Sequence, residues 1–169
     1  DMEQSEGRWR AAIKAAQRVE AQDVDYIPEV LPRLEACYQA TGQPLQFRAE
    51  LERLLTRYPG VSVIMKLSEV IETTEGRKPA IEFLAEQLRD RPSVRGLDRL
   101  ITLNISDDDR DRRRQRDLRV LRELFAALLV DTPPYRCIEC GFEARQIHWQ
   151  CPGCRAWATI KPRRGLSGE

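Results

Sequence analysis

Four cysteines stand in two C-x-x-C pairs, Cys137-Ile-Glu-Cys140 and Cys151-Pro-Gly-Cys154, separated by ten residues. A pair at this spacing turns the chain back on itself and presents two sulfurs to one centre. Two such turns face to face complete a tetrahedral S₄ shell, the coordination that zinc or a single iron takes. Gly141 permits the left-handed backbone the first turn wants, and Pro152 stiffens the second. The competing chemistry is a pair of disulfides or a redox-active dithiol. Disulfides need an oxidising compartment, and a thioredoxin-type motif stands alone within a βαβ unit. Two knuckles at this spacing favour metal.

Other reactive side chains are sparse. Cys37, the fifth thiol, sits between Leu34 and Tyr38 and reads as a small core residue. His148 is the single histidine. It lies near Cys151, but four thiolates already close the shell, which leaves it an exposed or packing role. Trp149 and Trp157 are expected to cover the metal site and dock its module on the helices; the alternatives are a partner-binding surface or base stacking. There is no H-E-x-x-H, phosphate-binding glycine loop or nucleophile elbow. A closed Cys₄ shell has no open position for substrate, so no catalytic residue is assigned and the protein reads as a non-enzyme.

These sulfurs and the strands around them occupy about 25 residues, too few to build a sufficient core unaided. Metal binding is therefore expected to supply folding energy. Phe142–Trp149 reads as a short strand pair and Trp157–Ile160 as a third strand. Upstream, apolar residues recur at helical spacing. The stripes are Ile27, Val30, Leu31, Leu34, Tyr38; then Leu45, Leu51, Leu54, Leu55, Tyr58; then Val63, Leu67, Val70, Ile71; then Ile81, Leu84, Leu88. Leu97, Leu100, Ile101 and Ile105 make a short element, and Leu118, Leu121, Leu124, Phe125 and Leu128 a longer one. Gly7, Gly42 and Gly76 recur at 35 and 34 residues, and Pro59 and Pro92 at 33. That period, two helices long, is that of the tetratricopeptide repeat, in which stacked pairs bury faces that one pair cannot. The fold class expected is mostly α, a tetratricopeptide-like helix-pair solenoid over 1–131, followed by a small β-rich rubredoxin-like or zinc-ribbon module over 135–169. Ser106 with Asp107, Asp108 and Asp109 reads as a helix start. The run Arg110, Arg112, Arg113, Arg114 and Arg116 reads as a solvated helix face, because acids interleave with it.

The whole chain carries 28 basic and 27 acidic residues over 169, with 41% hydrophobic and 33% charged. This is a globular profile, and its near-neutral charge speaks against a general nucleic-acid or anionic-membrane binder. The run Phe125–Val130 is far shorter than the roughly 18 residues a membrane helix needs. No secretory leader opens the sequence; the chain as given reads as soluble, and the start at Asp1 within helix-like sequence is read as that of a fragment, compatible with the removal of an N-terminal anchor.

The tail carries a resemblance. Tyr135-Arg-Cys137-x-x-Cys140-Gly-Phe142, Trp149-x-Cys151-Pro-x-Cys154, Trp157, Thr159-Ile-Lys-Pro162 and Arg164-Gly-Leu166 resemble the end of the lipopolysaccharide assembly protein B family, which joins tetratricopeptide repeats to a rubredoxin-like domain. The resemblance implies that Cys137, Cys140, Cys151 and Cys154 bind one metal, iron by likeness to rubredoxin or zinc. It implies a non-enzymatic adaptor on the cytoplasmic side of the inner membrane, held by an N-terminal helix that this chain lacks. Its implied partners are a membrane-anchored AAA+ zinc protease, the lipid A pathway deacetylase whose degradation it promotes, and a lipopolysaccharide-sensing inner-membrane protein. Nucleic acid is not among them. The alternatives are a nucleic-acid-binding zinc ribbon and a rubredoxin-like electron carrier.

Overall fold

A computed structural model describes residues 9–105, 112–130, 132–165 and 168, with the side chains of 128–130 left aside. Gly7, the Ser106–Asp109 helix start, Arg110 and Leu166 lie outside the described residues. The order of elements is α1 (Trp9–Gln22), a short 3₁₀ turn (Val24–Tyr26), α2 (Ile27–Ala40), α3 (Pro44–Arg57), α4 (Val61–Glu75), α5 (Arg77–Asp90), α6 (Val94–Asn104), α7 (Arg112–Val130), β1 (Tyr135–Cys137), β2 (Glu143–Ala144) and β3 (Ile160–Pro162).

The helices repeat as the breakers predict. The starts of α2, α4 and α6 are 34 and 33 residues apart, and those of α3, α5 and α7 are 33 and 35 apart. Gly42 and Gly76 form the turns inside the first two pairs at φ +66° and +100°, backbone that a side chain would strain. Pro59 and Pro92 each stand two residues past a helix end, where a missing N–H does no harm. The fold class read from the sequence is the one observed: helix pairs of this period, then a small β-rich cysteine module.

By packing, the chain separates into two compact units, Asp1–Leu67 and Ser68–Glu169, with the division inside α4. In the first unit Ile27, Leu31, Leu34, Cys37, Phe47, Leu51, Leu54, Val63 and Ile64 are buried. Cys37 is thus the core thiol the sequence suggests. Leu45 departs from its expected stripe: it is 76% exposed in the first turn of α3, and Phe47 takes the inward position. Charged groups brace this unit. Arg53 on α3 donates to both carboxylate oxygens of Glu20 on α1 and to Glu50, Gln17 donates to Glu50 at 3.2 Å, and Arg57 pairs with Glu20 at 3.2 Å. The guanidinium holds the Glu20 carboxyl below its usual range, and the two carboxylates raise Arg53.

In the second unit α5 packs on α6 and α6 on α7. The α6 face differs from the predicted stripe: Gly96 and Leu103, one heptad apart, are buried, whereas Leu97, Leu100 and Ile101 are half-buried. Gly96 lets Leu88 pack close: a Cβ there would stand 2.4 Å from Leu88 Cδ2, and the leucine side chain would have to shift. Periodicity registers large side chains and so misses a face built around a glycine.

Candidate metal centre

The cysteine module is a three-stranded antiparallel sheet in the order β2-β1-β3, with Cys137 paired to Ile160 and Tyr135 to Ala144. The strands differ from those expected. Of Phe142–Trp149 only Glu143–Ala144 is strand, the first strand lies at Tyr135–Cys137, and the third begins at Ile160; Trp157 makes an isolated bridge to Gln150. Residues beside the sulfurs bend into knuckle turns, and residues 145–149 between the knuckles run as bends and coil rather than strand.

The two knuckles repeat each other. In the first, the Gly141 N–H donates to the Cys137 carbonyl at 3.0 Å and the Cys137 N–H to Phe142 at 2.8 Å. In the second, the Arg155 N–H donates to the Cys151 carbonyl at 2.9 Å and the Cys151 N–H to Ala156 at 2.9 Å. The residue after the second cysteine has positive φ in both, Gly141 at +77° and Arg155 at +61°. Thus the second knuckle makes the same turn without glycine, a feature visible only when the two motifs are superposed.

This geometry gathers four sulfurs. The Sγ atoms of Cys137, Cys140, Cys151 and Cys154 lie within 4.8 Å of one another. Cys137 and Cys154 are 3.8 Å apart, and Cys140 and Cys151 3.6 Å. A tetrahedron with metal–sulfur bonds of about 2.3 Å has edges of about 3.8 Å, so the donor set fits one zinc-sized ion. Each knuckle supplies one buried sulfur (Cys137, Cys151) and one exposed sulfur (Cys140, Cys154). Gly153 leaves room for them: a Cβ there would lie 3.3 Å from Cys140 Sγ and 3.7 Å from Cys151 Sγ.

The sulfurs are electrostatically unequal. The Thr159 hydroxyl, assisted by the Cys140 and Glu139 backbone N–H groups, holds the Cys137 thiol down at about 6 against desolvation. The Ala156 N–H favours the Cys154 thiolate, but desolvation and the neighbouring sulfurs outweigh it and push that thiol up to about 12. Four thiolates this close do not ionise together unless a cation offsets their repulsion.

Around the sulfurs the apolar surface is exposed. Trp149 and Trp157 are 61% and 70% exposed, so neither is buried as a cover or docked on the helices as expected; Ile138 and Phe142 are also exposed. His148 is half-buried and stands outside the sulfur cluster. The buried residues of the module are chiefly Cys137, Cys151 and Ile160, with Tyr135 packed on them.

Residues 135–162 match the family described as a rubredoxin metal binding domain. Over nearly its whole length the chain is similar to Lipopolysaccharide assembly protein B of Escherichia coli strain K12, at 34% identity over 164 residues, 97% of this chain and 42% of that protein. The protein of the same name from Haemophilus influenzae is 32% identical over 157 residues, 93% of this chain and 39% of that protein. The chain thus spans about two-fifths of the length of the curated relatives it matches.

Proposed function

The chain belongs to the lipopolysaccharide assembly protein B family, and from that premise we propose that it is part of a non-enzymatic adaptor that regulates lipopolysaccharide synthesis. In this reading the protein works on the cytoplasmic side of the inner membrane. It brings the committed-step deacetylase of lipid A synthesis to a membrane-anchored AAA+ zinc protease, and a lipopolysaccharide-sensing membrane protein restrains it. No helix among the described residues is long and apolar enough to cross a membrane, so the reading places anchorage in the part of the relatives' length that this chain does not span.

The observation that carries an adaptor role is the placement of exposed apolar side chains. Among the described residues eight large ones are exposed, and seven of them fall between Val120 and Trp157. They are Val120, Leu121 and Leu124 on α7 and Ile138, Phe142, Trp149 and Trp157 on the cysteine module. Exposed apolar side chains on these two elements, above all the two tryptophans, are the candidate protein contacts. Tryptophan supplies much of the energy in such contacts.

The functional division falls between a helical part, 1–131, and the module, 135–169. In the module Cys137, Cys140, Cys151 and Cys154 hold one metal ion. When bound, it supplies a four-way cross-link between the knuckles, and iron would add a one-electron couple. The module then serves as a rigid mount for its tryptophans.

The test is affinity capture from solubilised Gram-negative inner membranes, with the chain carrying Trp149→Ala and Trp157→Ala as the comparison. The wild type is expected to retain the protease and the deacetylase, and the double variant to lose them with its metal intact. Capture of neither protein by the wild type, or undiminished capture by the double variant, would overturn the reading. Metal analysis with absorption spectroscopy separates iron from zinc.

A further inference from the structure

Thr159 belongs to the tail motif, yet it is neither a ligand nor part of the exposed surface. Its side chain is buried, 8% exposed, at the entry to β3. Three contacts meet on it. Its Oγ1 is 3.3 Å from Cys137 Sγ in the first knuckle and 3.3 Å from the Ala156 carbonyl in the second. Its own carbonyl accepts the Ile138 N–H at 2.9 Å, inside the first Cys-x-x-Cys turn. The Ala156 carbonyl is also the one that closes the second knuckle, accepting from the Cys151 N–H.

We propose that Thr159 is a positioning residue of the metal centre, its hydroxyl joining the Cys137 sulfur of one knuckle to the closing carbonyl of the other. The inference rests on the reading that the four cysteines bind metal. A hydroxyl has one proton, and the arrangement gives that proton two destinations. While Cys137 is a thiol, its S–H donates to Thr159 Oγ1, and the Thr159 O–H donates to Ala156. Metal coordination requires the thiolate, and the Cys137 proton leaves to solvent. Oxygen lone pairs would then face a negative sulfur, so the Thr159 O–H turns to donate to it. The Ala156 carbonyl is not orphaned, because the Cys151 N–H still reaches it. A hydrogen bond of this kind fixes the ligand's direction and reduces the charge on its sulfur, the usual work of a group just outside a metal's ligands.

The experiment compares Thr159→Val, which keeps the shape and removes the hydroxyl, with Thr159→Ser, which keeps the hydroxyl and removes the methyl. Each full chain is loaded with zinc for transfer to a chromophoric chelator, and with cobalt(II) for the sulfur-to-metal charge-transfer band. Thr159→Val is expected to release zinc roughly 10- to 100-fold faster than the wild type and to move the cobalt band to lower energy. Thr159→Ser is expected to stay within about threefold of the wild type and to keep the band. A valine variant that matches the wild type in both measurements overturns the assignment. So does a serine variant as impaired as the valine one, which would make the methyl the important group. The serine comparison stands even where the valine variant does not fold. A wild-type chain that takes up no metal overturns the underlying metal reading, and this assignment with it.

Discussion

The helices of Asp1–Leu67 and the cysteine module are two solutions to one problem, the burial of enough apolar surface to fix a chain. The helical unit does it with aliphatic layers: Leu51 and Val63 are fully buried and Ile64 nearly so, and the Glu20–Arg53–Glu50 network braces them. The module instead buries two sulfurs, Ile160 and Ala144, and leaves both tryptophans in solvent. Its core is thus largely its own ligand set. A region with an aliphatic core tolerates the loss of any one polar contact. A region whose core includes two of its four ligands depends on whatever joins them.

The sharpest way to break this contrast is to remove one ligand. Cys140→Ser is expected to abolish stable metal binding and unfold β1–β3 while the helices stay folded. Structural four-ligand sites supply on the order of 10 kcal/mol, more than so small a module has to spare. Amide NMR would show collapse of the signals from 135–162 with those of the first unit in place. A module that stays ordered without metal, or helices that melt with it, would end the contrast. Acid gives the same separation. Protons compete with metal for thiolates, so metal content is expected to fall as pH falls.

Changes in the helical unit should do the converse. Leu51→Ala is expected to cost about 3 kcal/mol, since it empties a fully buried site, and to leave metal content unchanged. Arg53→Ala is smaller, about 1–2 kcal/mol, because the arginine side chain is 41% exposed and water screens much of the loss. It also has a pH signature. The Arg53 guanidinium holds the Glu20 pKa below the unfolded value, so this stability is fully present above about pH 4.5 and is lost as pH falls through the folded value. Urea titrations from pH 7 downward are expected to separate wild type from Arg53→Ala at pH 7 and to narrow the gap as pH falls through the folded Glu20 value. A gap that stays undiminished down to full protonation of Glu20 would show that the ion pair is not its source.

The same contrast decides what could be read from the sequence. Helix pairs were legible because their breakers are local: Gly42 and Gly76 need positive φ, and Pro59 and Pro92 cannot continue a helix. The four sulfurs were legible because C-x-x-C is a local turn. Less legible was whatever depends on an approach between distant residues. Gly96 against Leu88 looks like an ordinary helix-interior glycine, and Leu45 was placed on a buried stripe although it points outward and Phe47 takes the inward position. The strands of the module were misplaced because residues 142–149 look extended, whereas only Glu143–Ala144 find a partner strand and residues 145–149 run as bends and coil between the knuckles. Thr159 stood in a motif without a role until its 3.3 Å distance to Cys137 supplied one.

The smallest expected effect tests how closely the two knuckles match. Gly141 and Arg155 occupy the same place, each donating its N–H to the first cysteine's carbonyl, at φ +77° and +61°. A residue with a Cβ pays roughly 1 kcal/mol for left-handed backbone, whereas glycine adopts it freely. Arg155→Gly removes that strain but also gives the unfolded chain more freedom, so the gain is expected to be below about 1 kcal/mol. The gain should appear as a higher resistance of the module to urea at fixed metal concentration, with the helical transition unmoved. Gly141→Arg, the reciprocal change, should destabilise the module by about 1 kcal/mol, because the new side chain would have to be carried at φ +77°. If Arg155→Gly destabilised the module, the arginine side chain would be contributing more than its backbone strain removes, and the knuckles would be alike in backbone only.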